Sequence, residues 1–367
     1  MLTIDVFPAS YGDALLVSYG APDSPSRLLI DGGLTGTAKS VQKRVEALDA
    51  EIDLFVITHI DADHIAGAVR LLDTPSFAER VKAVWFNGRP HLEQFDDLLG
   101  ALDGERLGER LDALGLPWNE GWPWRIAPGS PPEHAGGPVF IPDRPVRVQL
   151  PGGASAVVLS PTKEKLVKLL PVWRTTIRKA GLVDGVAIRR DPPEPPGRVL
   201  LGGPTLQELA DSPTDDDDSE ANGSSIAFVL EVPDGASTRR VLLTGDAHPD
   251  VLVAGIDHLR GDADRYRIDL CKLPHHGSRR NVTTEVVALL ECSRWIVSTN
   301  GKRFNHPNDE AIARILVSNP GSTIYGNYGE NRPLDSFLAR YPMSRNGYTL
   351  SRPRAGHPGS IVSLDDF

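Results

Sequence analysis

Cysteine is almost missing from this 367-residue chain, which has only Cys271 and Cys292. Two thiols make no disulfide framework, and neither falls in the paired spacing of a cysteine-bound metal. Both are therefore expected as small buried hydrophobes. Long apolar runs are lacking too: no window reaches the roughly 18 consecutive apolar residues of a membrane-crossing helix, which argues against a membrane partner. The opening residues, Met1-Leu2-Thr3-Ile4-Asp5-Val6-Phe7-Pro8, hold no basic leader and no cleavage signal. They already alternate like a strand, so a cytoplasmic, nearly full-length protein is expected. Positive charge is in short supply, with 39 Lys and Arg against 49 Asp and Glu and a net charge of -10. That balance argues against broad non-specific nucleic-acid binding but leaves room for local Arg and Lys at one phosphate. No internal repeat is visible.

What remains is an ordinary globular composition, 40% hydrophobic and 24% charged with a mean hydropathy of -0.22. The length permits two domains or one α/β core with insertions. The reading adopted is a single domain over 1–367 with insertions at about 86–151 and 171–221. Short strands are expected at Leu2 to Phe7, Ala14 to Tyr19, Arg27 to Ile30 and Ile52 to Thr58, the last an apolar run suited to a strand buried on both faces. Helices are expected at Ser40 to Leu48 and Ile65 to Leu72. The stretch Trp118 to Pro151 reads as a loop or lid, in which Trp118, Trp122 and Trp124 are expected to fold onto the protein itself, with a stacking platform over the site as the alternative. After a short helix at Lys163 to Leu170, the Pro-rich run Asp191 to Pro196 and the acidic run Asp215 to Asp218 suit an exposed insertion with a solvated loop. Order returns with strands at Ser225 to Val232, Arg240 to Thr244, Asp269 to Pro274 and Arg294 to Ser298, and with helices at Thr284 to Leu290 and Asp309 to Val317. Strands followed by polar motifs and then helices make an α/β pattern with chemistry at the strand ends.

Those strand ends carry the informative residues. His59, Asp61, Asp63 and His64 place metal-ligand types within six residues at a strand-to-helix junction. His59 and Asp61 alternate toward one point, while Asp63 and His64 start the helix and aim at a neighbouring one, a geometry for two adjacent metals. Thr244-Gly245-Asp246 sets a carboxylate directly after an apolar strand. His275-His276-Gly277-Ser278 follows another strand, and His306-Pro307 precedes a helix. Five of the ten histidines fall in these motifs, and it is their joint occurrence that carries weight.

Asp31-Gly32-Gly33, the His59–His64 motif, Thr-Gly-Asp, His-His-Gly-Ser and His-Pro, in that order, resemble the metallo-β-lactamase superfamily. Tyr11-Gly12-Asp13-Ala14 and Asn222-Gly223-Ser224-Ser225 resemble the branch that contains the hydrolase domain of ComEC, a bacterial DNA-uptake protein. The resemblance implies a four-layer αβ/βα sandwich of α/β class holding two divalent ions, Zn²⁺ or Mn²⁺, at one edge. By position, one ion takes His59, Asp61 and one of His275 and His276. His276 is preferred, because successive residues leaving a strand point opposite ways. The other takes Asp63, His64 and His306, with Asp246 between them. Asp31 is expected to orient ligands rather than bind metal. The commonest form of the superfamily has His where this chain has Asp61, and the added oxygen donor makes Mn²⁺ acceptable beside Zn²⁺.

On this reading a metal-bridging hydroxide performs a hydrolysis in which Asp63 and Asp246 are catalytic and no serine nucleophile is needed. Ser278, Arg279 and Asn305 are expected at the substrate. Arg279-Arg280 and Lys302-Arg303 beside the motifs suit phosphate oxygens. A phosphodiester is therefore the expected substrate, a single-stranded nucleic acid or a nucleotide, with the middle insertion open to a protein partner. An ester, lactone or thioester hydrolase and a non-catalytic binding or signalling component are the alternatives.

Overall fold

Period-two alternation decides the architecture. In the strand Leu15–Tyr19, residues Leu15, Val17 and Tyr19 enter one apolar cluster and Leu16 enters another. In Leu54–Val56, Leu54 and Val56 face the first cluster and Phe55 the second. In Ala227–Asp234, Phe228, Leu230 and Val232 join that same first cluster, while Val229 turns to a third. The shared cluster therefore lies between two sheets. The second is covered by the helices Ala38–Ala47 and Ala62–Leu72 through Val41, Val45, Ile65 and Leu71. The third is covered by Pro249–Arg260 and Asp309–Ser318 through Leu252, Ile256, Ile312 and Ile315. The resulting helix–sheet–sheet–helix order is the expected four-layer sandwich. These relations come from a computed structural model that describes residues 1–92, 102–120, 122, 136–180, 203–353 and 359–365.

The two sheets share a pattern of pairing that the sequence hides. In the six-stranded sheet, Ser360–Ser363, Leu2–Val6, Leu15–Tyr19 and Ser26–Ile30 pair antiparallel, and Leu54–Val56 and Val84–Trp85 then add in parallel. In the eight-stranded sheet, Val146–Gln149, Ser155–Ser160, Ala227–Asp234 and Ser237–Leu243 pair antiparallel. Leu270–Lys272, Arg294–Val297, Thr323–Gly326 and Thr349–Ser351 then add in parallel. The change of direction opens a crevice at the strand ends, a recurrent place for ligands in α/β sheets. Asp31 and His59 leave the two strands that flank the change in one sheet; Asp246 and His275 leave their counterparts in the other.

In the middle of the chain, Trp118 and Trp122 fold into the protein as expected and form no platform. Trp118 stacks on Phe86 and donates from its indole nitrogen to the Phe86 carbonyl at 2.7 Å, and Trp122 packs edge-on against Trp85. Part of the expected lid, Val146–Gln149, is an edge strand. The helix expected to stop at Leu170 runs from Lys163 to Ala180 with Pro171 inside it. Trp124 and the Pro-rich run Asp191 to Pro196 lie outside the described residues. Both cysteines are free and buried. Among the described residues no helix is long and apolar enough to cross a membrane.

One close approach fixes the site's first half. The Gly32 amide donates to the His64 carbonyl at 2.9 Å, and the Gly67 amide donates to the Gly33 carbonyl at 2.8 Å. The helix carrying Asp63 and His64 thereby lies directly on the turn after Ile30. A β-carbon on Gly67 would sit 1.9 Å from the Gly32 carbonyl oxygen, and one on Gly32 would sit 2.1 Å from the Ala68 nitrogen. Gly→Ala inside a helix ordinarily gains about 1 kcal/mol. Overpacking against a backbone atom costs about 1–3 kcal/mol or more and outweighs that gain. Gly67→Ala is therefore expected to lower the urea unfolding midpoint, and an unchanged or higher midpoint would contradict this packing.

Candidate metal centre

The apolar strand Leu54–Val56 delivers Thr58 and His59 to the crevice. Asp31, just past Ile30, gathers the neighbouring groups. Its carboxylate accepts from the Thr58 amide at 2.7 Å and from the Thr58 hydroxyl at 2.8 Å. The same carboxylate lies 2.8 Å from His64 Nδ1. In the neutral ring that contact puts the proton on Nδ1 and leaves the Nε2 lone pair facing inward. Asp31 thus sits behind His64, as an orienting group would. His59 is held in the same way, its Nδ1 lying 3.0 Å from the Thr58 hydroxyl and 3.1 Å from the Ser225 hydroxyl. Asp61 occupies the N-cap position of Ala62–Leu72 but caps nothing with its side chain. Its carboxylate lies 3.7 Å from His59 Nε2.

The second sheet supplies the centre. Asp246 Oδ2 has Nε2 of His64 at 3.3 Å, of His276 at 3.5 Å, of His275 at 3.9 Å and of His59 at 4.0 Å. His276 Nε2 also lies 3.7 Å from Asp63 Oδ2, which places it beside Asp63 and His64. Both histidines of the pair reach Asp246, and the alternation expected of an extended chain does not hold. His275 and His276 have φ of 47° and 56°, a left-handed turn that swings both rings to one side. Two non-glycine residues in that region cost about 1–3 kcal/mol each, strain of a kind that gathers at functional sites. Gly277 completes the turn at φ 89°, where a β-carbon would sit 2.6 Å from Pro307 Cβ. That contact ties the turn to the loop of His306. The His306 ring lies 5.4 Å from that of His275.

Several parts of the centre were not anticipated from the sequence. Asp13, Lys272 and Asp217 all reach it. Lys272 is buried, ion-paired with Asp13, 3.7 Å from Asp246 Oδ1, and donates to the Gly245 carbonyl at 3.1 Å. A lysine in the otherwise apolar Leu270–Leu273 was the available signal, because an ammonium in a buried strand needs a buried partner. Asp217 belongs to the acidic run expected to be solvated, yet it is buried. It accepts from Asn222 at 2.7 Å and Asn281 at 2.9 Å, and lies 3.3 Å from His275 Nδ1. The buried Arg314 staples that segment in place, donating to the Ser212 carbonyl at 2.8 Å and the Arg279 carbonyl at 2.7 Å. Nothing in the run Asp215 to Asp218 distinguished its third member.

The electrostatics call for cations. Asp13, Asp31, Asp61, Asp63, Asp217 and Asp246 surround the imidazoles, with Lys272 as their buried ammonium. Although burial opposes charge on both, Asp246 helps hold His64 and His276 well above the usual histidine range, with Asp31 acting on His64 and Asp13 on His276. His275 is likewise raised, to about 9, against its burial, by Asp246 and Asp217. His306 goes the other way, pushed well down by burial and by the charges of His275 and His276. His59 Nε2, His64 Nε2, His276 Nε2, His306 Nδ1 and Asp246 Oδ1 are buried without a hydrogen-bond partner. One ligand atom each from Asp13, His64, Asp246 and His276 lies within 4.8 Å of the others. Buried polar atoms left unpaired around excess negative charge fit divalent ions.

The residues expected at the substrate are dispersed. Ser278 is buried, and its hydroxyl accepts from the Arg280 amide at 3.2 Å. Arg279 is paired with Glu310 at 3.0 Å, and Arg280 with Asp218 at 2.9 Å. Asn305 is exposed. Because Asp31 fixes two groups around the centre, Asp31→Asn is expected to weaken Zn²⁺ affinity about 10–100-fold. Competition with a chelating dye measures this, and an affinity equal to wild type would contradict the role given to Asp31.

The model of the metallo-beta-lactamase superfamily matches residues 23–148, the stretch holding Asp31 and the His59–His64 motif. No curated protein matches the chain. Among solved structures, it is similar to a metallo-beta-lactamase with a HARLDQ motif from Cronobacter sakazakii. That likeness has 18% identity and a TM-score of 0.20, over 40% of this chain and 45% of the other. The chain thus spans less than half the length of that protein. A protein of Parabacteroides distasonis ATCC 8503, provisionally designated a metal-dependent hydrolase, is similar at 11% identity and a TM-score of 0.34, over 96% and 98% of the two chains. MEM-A1, a subclass B3 metallo-beta-lactamase from a soil metagenome library, is similar at 12% identity and a TM-score of 0.30, over 93% of each. At such scores these likenesses carry no weight beside the layers and the cluster themselves.

Proposed function

We propose that this chain, whose residues 23–148 match the metallo-beta-lactamase superfamily model, is a metal-dependent hydrolase of phosphodiesters, a phosphodiesterase or nuclease of the ComEC-like kind. The observation that carries this reading is the convergence of four histidine nitrogens within 4.0 Å of Asp246 Oδ2. His59 and Asp61 would hold one ion, and Asp63, His64 and His276 a second, with Asp246 between them and His275 and His306 at the flank. Divalent ions in such a set make water nucleophilic near neutral pH and polarise the bond to be cleaved. Mixed imidazole and carboxylate donors suit Zn²⁺ and Mn²⁺.

The protein's own groups set the remaining conditions. Asp31, Thr58 and Ser225 fix the rings of His64 and His59, so the donors need no rearrangement when ions bind. Lys272 neutralises Asp13 and the inner side of Asp246, which lets carboxylates crowd together without protonation. The side chain of Asp61 is 46% exposed and that of Asp63 is 17% exposed, so these two carboxylates mark the face open to substrate. A phosphodiester is favoured over a neutral ester because Lys302 and Arg303 are exposed beside His306 in an acidic protein. Arg279 and Arg280, by contrast, are already engaged with carboxylates.

Purified protein loaded with Mn²⁺ or Zn²⁺ is expected to cleave bis(p-nitrophenyl) phosphate and short nucleic acids. Asp63→Ala and His64→Ala should each reduce kcat/KM by at least about 100-fold with the fold retained by circular dichroism. Cleavage confined to lactones or carboxylic esters in a parallel panel would overturn the substrate class, and undiminished cleavage by both variants would overturn the site.

A further inference from the structure

Beside His306 the chain builds a small aromatic corner around Arg303. The rings of Phe304 and His306 stack with centroids 6.1 Å apart at 30°. Tyr11 meets Phe304 edge-on at 5.5 Å. The Arg303 guanidinium lies 4.5 Å over the Tyr11 ring and 5.0 Å over the Phe304 ring, and it bonds the Tyr11 hydroxyl. Both rings are half-buried, and Arg303 is exposed. Among the described residues Arg303 has no carboxylate partner, unlike Arg279 and Arg280.

The corner is anchored to the metal centre through the backbone. Tyr11 precedes Gly12, whose carbonyl accepts from the Ser298 hydroxyl at 3.0 Å. The next amide, that of Asp13, donates to the Asp63 carbonyl at 3.2 Å. The Asn300 amide donates to the Ser10 carbonyl at 2.6 Å, which joins the loop of Tyr11 to the loop of Phe304. Phe304 stands two residues before His306. The exposed member of this corner is thus a guanidinium held against two rings, on loops joined to those of Asp63 and His306. Guanidinium planes and aromatic rings are the surfaces on which unpaired bases stack, and the guanidinium fork also meets phosphate oxygens.

We propose that Arg303, Phe304 and Tyr11 form a subsite for the nucleobase next to the cleaved phosphodiester, which makes the substrate a nucleoside phosphodiester. The subsite rests on the phosphodiester reading above and narrows it. A neutral lactone or an alkyl phosphodiester offers nothing to stack on the guanidinium, whereas a base next to the scissile phosphate does.

The test is a calorimetric titration of the Zn²⁺-loaded protein with a phosphorothioate-linked thymidine dinucleotide and with the same linkage between two abasic deoxyriboses. Stacking of one base leads us to expect a preference of at least about tenfold for the base-bearing ligand in the wild type. Arg303→Gln and Phe304→Leu are each expected to cut that preference to about twofold or less. The exposed Arg303→Gln keeps the test readable should Phe304→Leu disturb His306, and elemental analysis checks the metal content of both. A twelve-nucleotide single strand is titrated in parallel: binding tighter than the dinucleotide assigns the subsite to a strand, and equal binding assigns it to small nucleotides. Absence of base preference in the wild type, or a preference that survives both variants, overturns the subsite. If bis(p-nitrophenyl) phosphate is still cleaved in that case, the phosphodiester reading stands without it, whereas a protein that cleaves no phosphodiester removes both.

Discussion

The carboxylate of Asp246 is buried where the two sheets meet, and four histidine nitrogens converge on one of its oxygens. An isolated buried carboxylate costs several kcal/mol of desolvation, and here further carboxylates crowd the same crevice. The surroundings answer that cost at every turn. Lys272 enters from the strand floor, Asp31 ties His64, Asn222 and Asn281 satisfy Asp217, and Ser225 accepts from the Asp246 amide at 3.2 Å. Still without a hydrogen-bond partner are His306 Nδ1, the Oδ1 of Asp246 itself and the inward nitrogens of His59, His64 and His276. Such an arrangement is strained as a purely structural core and sensible as a cradle for cations.

The same constraint explains local geometry that would otherwise look wasteful. The left-handed pair His275–His276 and the turn at Asp31, φ 56°, spend backbone strain to aim side chains at one point. The glycines 32, 67 and 277 bring backbone segments closer than any side chain would allow. Both halves of the centre lie where an antiparallel run of strands turns parallel, one in each sheet. The crevice is therefore a product of topology, and the ligands are what the strand ends place in it.

Much of this was legible in the sequence because the informative residues are local and periodic. The four-layer order was implied by the family resemblance of the strand-end motifs, and the alternation of the strands between apolar clusters agrees with it. The density of His and Asp in His59–His64, together with Asp246, His276 and His306 at other strand ends, pointed to the crevice. Two residues of the centre were not legible. Asp217 is one aspartate in an acidic run, held by Asn222 five residues on and by the distant Asn281, in a segment stapled by Arg314. Lys272 gains meaning from Asp13, which comes from the opposite end of the chain. His275 was an open candidate beside His276, and what residue type does not disclose is the left-handed backbone that brings both rings to Asp246. Trp118 and Trp122 fill the interior as expected, while the half-exposed aromatic surface beside the centre is made by Tyr11 and Phe304. Their pairing spans nearly the whole chain and has no local signature.

The most direct test of the central claim is a crystal structure of the protein grown with Zn²⁺ and measured at the zinc absorption edge. Two anomalous peaks are expected in the crevice, both within about 2.3 Å of an Asp246 carboxylate oxygen, one reached by His59 and the other by His64. A map with no peak at Asp246, or with zinc bound only at surface carboxylates, would contradict it.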